Sequence, residues 1–167
     1  SSEAYGNALY KPQDELHPLN PRTPYASAKA SSDLIALSYQ KTFGIDVVIP
    51  RCFNTYGPRQ PVKWKALIPN IIDHILNNKP PVIYDDNKRT RDFIYVTDTA
   101  KGIIGVAKYA KSGEVVNIGY GEEYAIRYVL ERICSKTGTI IISLFGSVCF
   151  MILALEAAAI KNWFTSL

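Results

Sequence analysis

The chain has 167 residues, 47% hydrophobic and 20% charged, which is the make-up of an ordinary globular chain with enough length to bury a substantial core. Its net charge of +4 is mild, and its basic residues are scattered without a stripe of interleaved aromatics, so the charge does not point to nucleic acid. Cys52, Cys134 and Cys149 are odd in number and far apart, so they suggest neither a disulfide framework nor a zinc site, and a reducing cytoplasm is the natural setting.

In chain order, Ser1 to Gly6 (SSEAYG) reads as the end of a strand, and Asn7 to Pro24 as an irregular, proline-rich loop. Pro24 fits just inside a helix start. The run ASAKASSDLIALSYQKTF that follows Tyr25 has good helix formers and no proline, so a helix is predicted from about Tyr25 to Phe43, closed by Gly44. DVVIPR, Asp46 to Arg51, suits a buried parallel strand, although Pro50 lacks the amide that a central strand position uses. Cys52 to Gln60 (CFNTYGPRQ) then leaves through a Gly-Pro turn. A helix from about Lys65 to Asn78 is predicted from Leu67, Ile68, Ile71, Ile72, Ile75 and Leu76, an apolar stripe suited to core packing.

Pro81 to Tyr84 and Asp92 to Val96 read as two strands joined by a polar turn. Thr97 and Asp98 are placed to cap a helix from about Asp98 to Ala110, whose Gly102 and Gly105 allow close packing. Glu114 to Gly119 (EVVNIG) reads as a further strand, and Glu123 to Lys136 as a last helix closed by Gly138. Alternating helices and strands after Gly44 argue for an α/β architecture with a largely parallel sheet. His17 and His74 lack partners at metal spacing and read as an exposed loop residue and a polar-face helix residue.

The chemistry gathers in the first 29 residues. Tyr25 and Lys29 are four apart on one helix, which places them on one face with Cβ atoms about 5–6 Å apart. An ammonium held beside a phenol favours the phenolate, and that makes a tyrosine into a base. A second match to this spacing, Tyr84 with Lys88, falls in a turn sequence. Tyr25 differs from it in having hydroxyls and a carboxylate at Ser1, Ser2 and Glu3, across a loop able to fold back over a cleft.

SSEAYG, PRTPYASAK, RCFNTYGPRQ and TRDFIYVTD, in that order and with EVVNIG as a fainter fifth segment, resemble the extended short-chain dehydrogenase/reductase family. Within it, the likeness is to the NAD-dependent nucleotide-sugar epimerases and dehydratases, over about residues 1 to 138. The resemblance implies that residues 1–53 are the later part of a Rossmann-type, doubly wound, NAD-binding domain. Residues 54–138 would be mostly a small α/β substrate-binding region, with about 94–121 returning to the Rossmann sheet. Tyr25 would take the proton from the sugar 4-hydroxyl, Lys29 would assist it and hold the nicotinamide ribose, and Ser1 would bond the reacting oxygen. Asn54, Arg59 and Arg91 would contact the nucleotide-diphosphate sugar. Asp98 is read as a cap and not as a catalyst.

By the same resemblance, Glu3 bears on which reaction follows oxidation at C4. Dehydratases of the family keep a glutamate there to take the C5 proton, whereas most 4-epimerases have an uncharged residue. Many dehydratases also carry an aspartate where this chain has Ser2. A sugar-nucleotide 4,6-dehydratase is therefore favoured, with a 4-epimerase or a UDP-glucuronate decarboxylase as alternatives. A homodimer is the family expectation.

The family's glycine-rich fingerprint should precede Ser1 by roughly a hundred residues and is not in the 167-residue sequence. The chain is accordingly expected to be a fragment, and a non-catalytic remnant that binds no NAD is the alternative of another class. The tail from Thr139 to Leu167 departs from the family pattern. It reads as a membrane tail over 139–160, as a buried strand and helix, or, the favoured reading, as sequence out of frame or past a truncated gene end.

Overall fold

The computed structural model describes residues 1–64, 66–81 and 89–137. The expected strand Pro81 to Tyr84, the Tyr84 and Lys88 pair, the Gly138 cap and the tail all fall wholly or partly outside them. The chain divides into two compact units, Ser1–Thr55 with Asp92–Glu122, and 56–91 with the described residues from Glu123 onward.

The first unit is built on two short parallel strands, β1 (Ile49–Cys52) and β4 (Val115–Ile118), paired Ile49 with Val115 through Cys52 with Ile118. Strand side chains alternate between faces, so the ladder has two different sides. Cys52, Val116 and Ile118 belong to one side, where Ile94 and Val106 complete an apolar cluster with helix α3 (Val96–Tyr109). Gly102 of α3 makes this approach possible, because a Cβ there would lie 2.8 Å from Ile118. Gly105 has no neighbour within 4 Å, so the close packing expected of both glycines holds for one. On the other side stand Arg51 and Asn117, paired in register. Pro50 is tolerated in β1 because Ile49 and Phe53 donate toward the β4 side, leaving the proline nitrogen, by alternation, on the opposite edge.

Helix α1 (Pro24–Phe43) matches its predicted span, with Gly44 in the left-handed conformation at φ 66°. The start of the chain is a correction. Ser2–Tyr5 form a 3₁₀ turn and not a strand end, because Ser1 accepts from the Glu3 amide and local i to i+3 bonds close the segment. Gly6 ends it at φ 69°, where a Cβ would collide with the Asn20 carbonyl. Thr97 and Asp98 do not cap α3. The helix begins two residues earlier, at Val96, with Tyr95 as N-cap, and Asp98 lies in the first turn, where its charge suits the helix dipole and pairs with Lys101 at 3.2 Å.

In the second unit, α2 (Leu67–Leu76) and α4 (Ile126–Thr137) form an apolar cluster of Ile71, Ile75, Leu130 and Cys134. The stripe read from the sequence is therefore core. Burial, with a smaller contribution from Glu131, pushes the Cys134 thiol up to about 11. The predicted helix from Glu123 loses its first three residues to β5 (Glu123–Ala125), where Glu123 accepts from the Thr90 hydroxyl at 2.9 Å. Asn54–Tyr56, read as part of a turn, is β2, and with β3 (Thr90–Tyr95) and β5 it forms a sheet in the order β2-β3-β5.

Candidate active site

Thr23 and Pro24 start α1 together. The Thr23 hydroxyl accepts from the Ala26 amide at 3.1 Å, and the proline occupies the first turn, where its missing N–H costs nothing. Ala26, Ala30 and Asp33 form the buried stripe of the helix. Tyr25 and Lys29 lie at the margin of that stripe by helical periodicity, and Tyr25 stays 58% exposed. The Lys29 ammonium stands 5.6 Å from the centre of the Tyr25 ring. A phenol and a cation thus share one accessible face of the helix.

The 3₁₀ turn packs against α1. Its apolar residues Ala4 and Tyr5 are fully buried, whereas Glu3 is exposed and Ser1 is half-buried. Ser1 Oγ accepts from the Glu3 amide at 3.4 Å, a bond that does not use the hydroxyl proton. Ser1, Glu3, Tyr25 and Lys29 therefore come from two elements in contact.

Of the expected substrate-binding residues, Asn54 belongs to the first unit and Arg59 and Arg91 to the second. Asn54 Nδ2 donates to the Asp92 carbonyl at 2.9 Å. Arg59 is exposed in a turn at φ 63°, and Arg91 is exposed with Nη1 donating to the Thr90 carbonyl at 2.9 Å. Among the described residues no His/Cys/Asp/Glu cluster suits a metal ion.

Several residues that matter here were not singled out from the sequence. Tyr5 donates to Asn117 Oδ1 at 2.8 Å, and the Arg51 guanidinium lies 4.7 Å from the centre of its ring. Arg51 Nε donates to Asp33 Oδ2 at 2.8 Å, with side-chain exposures of 5% and 11%. Burial acts to lower the Arg51 pKa, but its bonds to Tyr5 and Asp33 outweigh that and raise it. The available signal was polarity inside apolar strands, since arginine and asparagine interrupt VVIPRC and EVVNIG.

His17 is a correction: it is 2% exposed, not an exposed loop residue. Its Nε2 accepts from the Leu9 amide at 2.9 Å, so Nδ1 carries the proton and donates to the Pro18 carbonyl at 3.0 Å. Asp92, unremarked in TRDF, accepts from the Tyr120 and Gly121 amides at 2.8 Å each and closes the loop after β4.

The family model for GDP-mannose 4,6 dehydratase matches residues 1–147. The chain belongs to this family. Its members and structural neighbours are NAD-dependent sugar-nucleotide dehydratases and epimerases of the extended short-chain dehydrogenase/reductase type. A dTDP-glucose 4,6-dehydratase from Actinoplanes sp. is 41% identical over 124 residues, covering 74% of this chain and 38% of the relative. A putative UDP-glucose 4-epimerase from Methanocaldococcus jannaschii is 38% identical, covering 80% and 44%.

Among solved structures, the Bacillus anthracis dTDP-glucose 4,6-dehydratase in complex with NAD matches with a TM-score of 0.78 at 34% identity, covering 99% of this chain and 53% of that one. A UDP-N-acetylglucosamine 4-epimerase from Methanobrevibacter ruminantium matches at 0.79 and 32%, covering 96% and 53%. The fold is thus Rossmann-like α/β. The chain spans about half the length of these structures and less than half of the curated relatives. No helix among the described residues is long and apolar enough to cross a membrane.

Proposed function

We propose that these residues supply the acid/base side of an NAD-dependent sugar-nucleotide 4,6-dehydratase. The observation that carries the reading is the pairing of an exposed Tyr25, with the Lys29 ammonium over its ring, and an exposed Glu3 on a turn packed against the same helix. The exposed phenol and ammonium suit the nicotinamide ribose of NAD, which when bound takes a hydride from the sugar C4 and later returns one.

Tyr25, as the phenolate beside the Lys29 ammonium, takes the 4-hydroxyl proton and becomes the phenol. The Ser1 hydroxyl, whose proton is not used toward Glu3, donates to the reacting oxygen. The C5 proton next to the resulting ketone is acidic, and Glu3 removes it as the C6 hydroxyl departs. The family resemblance assigns contacts with the nucleotide-diphosphate sugar to Asn54, Arg59 and Arg91, and each arginine is exposed and able to meet a phosphate bidentately. The names of the relatives support the nucleotide-diphosphate-sugar class, several of them being dTDP-glucose 4,6-dehydratases.

Ser2 favours a second reading, a 4-epimerase, because it offers no carboxylic acid to protonate a leaving hydroxyl. The experiment is to incubate the native protein with NAD and a panel of nucleotide-diphosphate hexoses. A product lighter by one water supports the dehydratase, and an isomer inverted at C4 supports the epimerase. No conversion of any member sinks both.

Two further assignments go with this reading. The exposed Ile35, Tyr39 and Phe43 share one side of α1, with the Tyr39 and Phe43 rings 5.3 Å apart, and suit a homodimer interface. A cytoplasmic setting fits the free thiols of Cys52 and Cys134.

A further inference from the structure

Glu3 and Tyr25 can act on one sugar only if their elements hold a fixed spacing. The segment that links them, residues 6–23, contains no helix or strand, so the chain path alone does not set that spacing. Tyr5 does so through its surroundings. Its hydroxyl is held by Asn117 on β4 at 2.8 Å, and its ring lies against the guanidinium of Arg51 on β1 at 4.7 Å. Arg51 and Asn117 are register partners in a parallel ladder, so their side chains leave the sheet on the same face and hold Tyr5 from there. The edge of the Arg51 guanidinium meanwhile reaches Asp33 on α1 at 2.8 Å.

A planar guanidinium can meet a carboxylate with its edge and an aromatic ring with its face, which a lysine cannot reproduce. Stability alone does not account for the pair, since apolar residues of similar volume commonly stabilise as well as a buried ion pair. What the pair adds is direction. We infer that Arg51, held by Asp33, is a positioning residue that sets the turn bearing Ser1 and Glu3 against the face of α1 bearing Tyr25. This rests on the acid/base reading above.

The test uses the double variant Arg51→Met with Asp33→Leu, which removes both charges and leaves neither orphaned, and the single variant Arg51→Lys. In the native protein the Ala4 and Gly6 amides donate within the turn, to the Ser1 and Glu3 carbonyls, and their hydrogen exchange reports its order. In the double variant those amides are expected to exchange at least about tenfold faster while the α3 amides keep their protection. Turnover is expected to fall about 100-fold in kcat with KM little changed, the effect of a misplaced group on a bound substrate.

Arg51→Lys is expected to show a smaller loss of the same kind. Native exchange at Ala4 and Gly6, or a raised KM with native kcat, overturns the assignment. Should the double variant not fold, Arg51→Lys decides alone, with native kcat overturning the assignment and a lowered kcat at unchanged KM supporting it. Absence of turnover in the native protein marks failure of the acid/base reading, whereas unchanged exchange in the variants marks failure of the positioning claim.

Discussion

The region around the proposed acid/base residues in the first unit and the core of the second are held together by different physics. In the first, the contacts around the proposed acid/base residues are directional and polar: Asp33 to Arg51, Arg51 to Tyr5, and Tyr5 to Asn117. In the second, α2 and α4 meet through Ile71, Ile75, Leu130 and Cys134, where shape and area matter more than direction. An apolar core tolerates volume-conserving change at small cost. A buried polar network fixes one arrangement and is costly when half removed. The difference suits a first unit that must hold two reactive elements at a set spacing.

The largest effect should separate chemistry from stability within the first unit. Tyr25→Phe removes a hydroxyl from an exposed ring, so kcat is expected to fall by about 10³-fold with the urea unfolding midpoint unchanged. A matching loss of stability would mean that the ring is a packing residue.

The next contrast is between the units. Asp33→Ala leaves Arg51 buried and unpaired and is expected to cost about 3–5 kcal/mol, much of it recovered when Arg51→Met is added. Ile71→Val in the second unit is expected to cost about 0.5–1.5 kcal/mol. Equal costs for the two single variants in denaturant unfolding would erase the distinction. A smaller effect belongs to the start of α1: Thr23→Ala removes the cap on the Ala26 amide and should cost about 1 kcal/mol.

A further effect is alkaline and belongs to the second unit. The Cys134 thiol goes from 9.0 to about 11 on folding, so between those values the folded state holds the proton and the unfolded state does not. This contribution to stability is present below pH 9 and is lost as pH rises toward 11. Cys134→Ala should flatten that decline in unfolding measurements across the same range.

Much of this was legible in the sequence because it is local. The span of α1 follows from Pro24 and Gly44, and the α2 stripe follows from isoleucines at helical spacing. Tyr25 and Lys29 are related through four residues of one helix, so their pairing needed no tertiary information. The Ser2–Tyr5 turn, misread as a strand end, is closed by local bonds, but two other misread segments depend on partners distant in sequence. Glu123–Ala125 is extended because it pairs with β3, overriding its place at the head of a helical pattern. His17 is buried because Tyr5 and Tyr10 pack their rings against it, contacts that no local pattern encodes. Arg51 and Asp33 lie in sequence on a strand end and a helix face, where each alone reads as an ordinary charge.

The measurement that bears most directly on the proposed reaction is Glu3→Gln in the native protein, assayed with NAD and a converted nucleotide-diphosphate hexose in deuterated water. The expected result is that reduced nicotinamide still forms, while loss of water stops and deuterium no longer enters at C5. Dehydration at the native rate with deuterium incorporated at C5 would show that Glu3 does not take the C5 proton and would contradict the assignment.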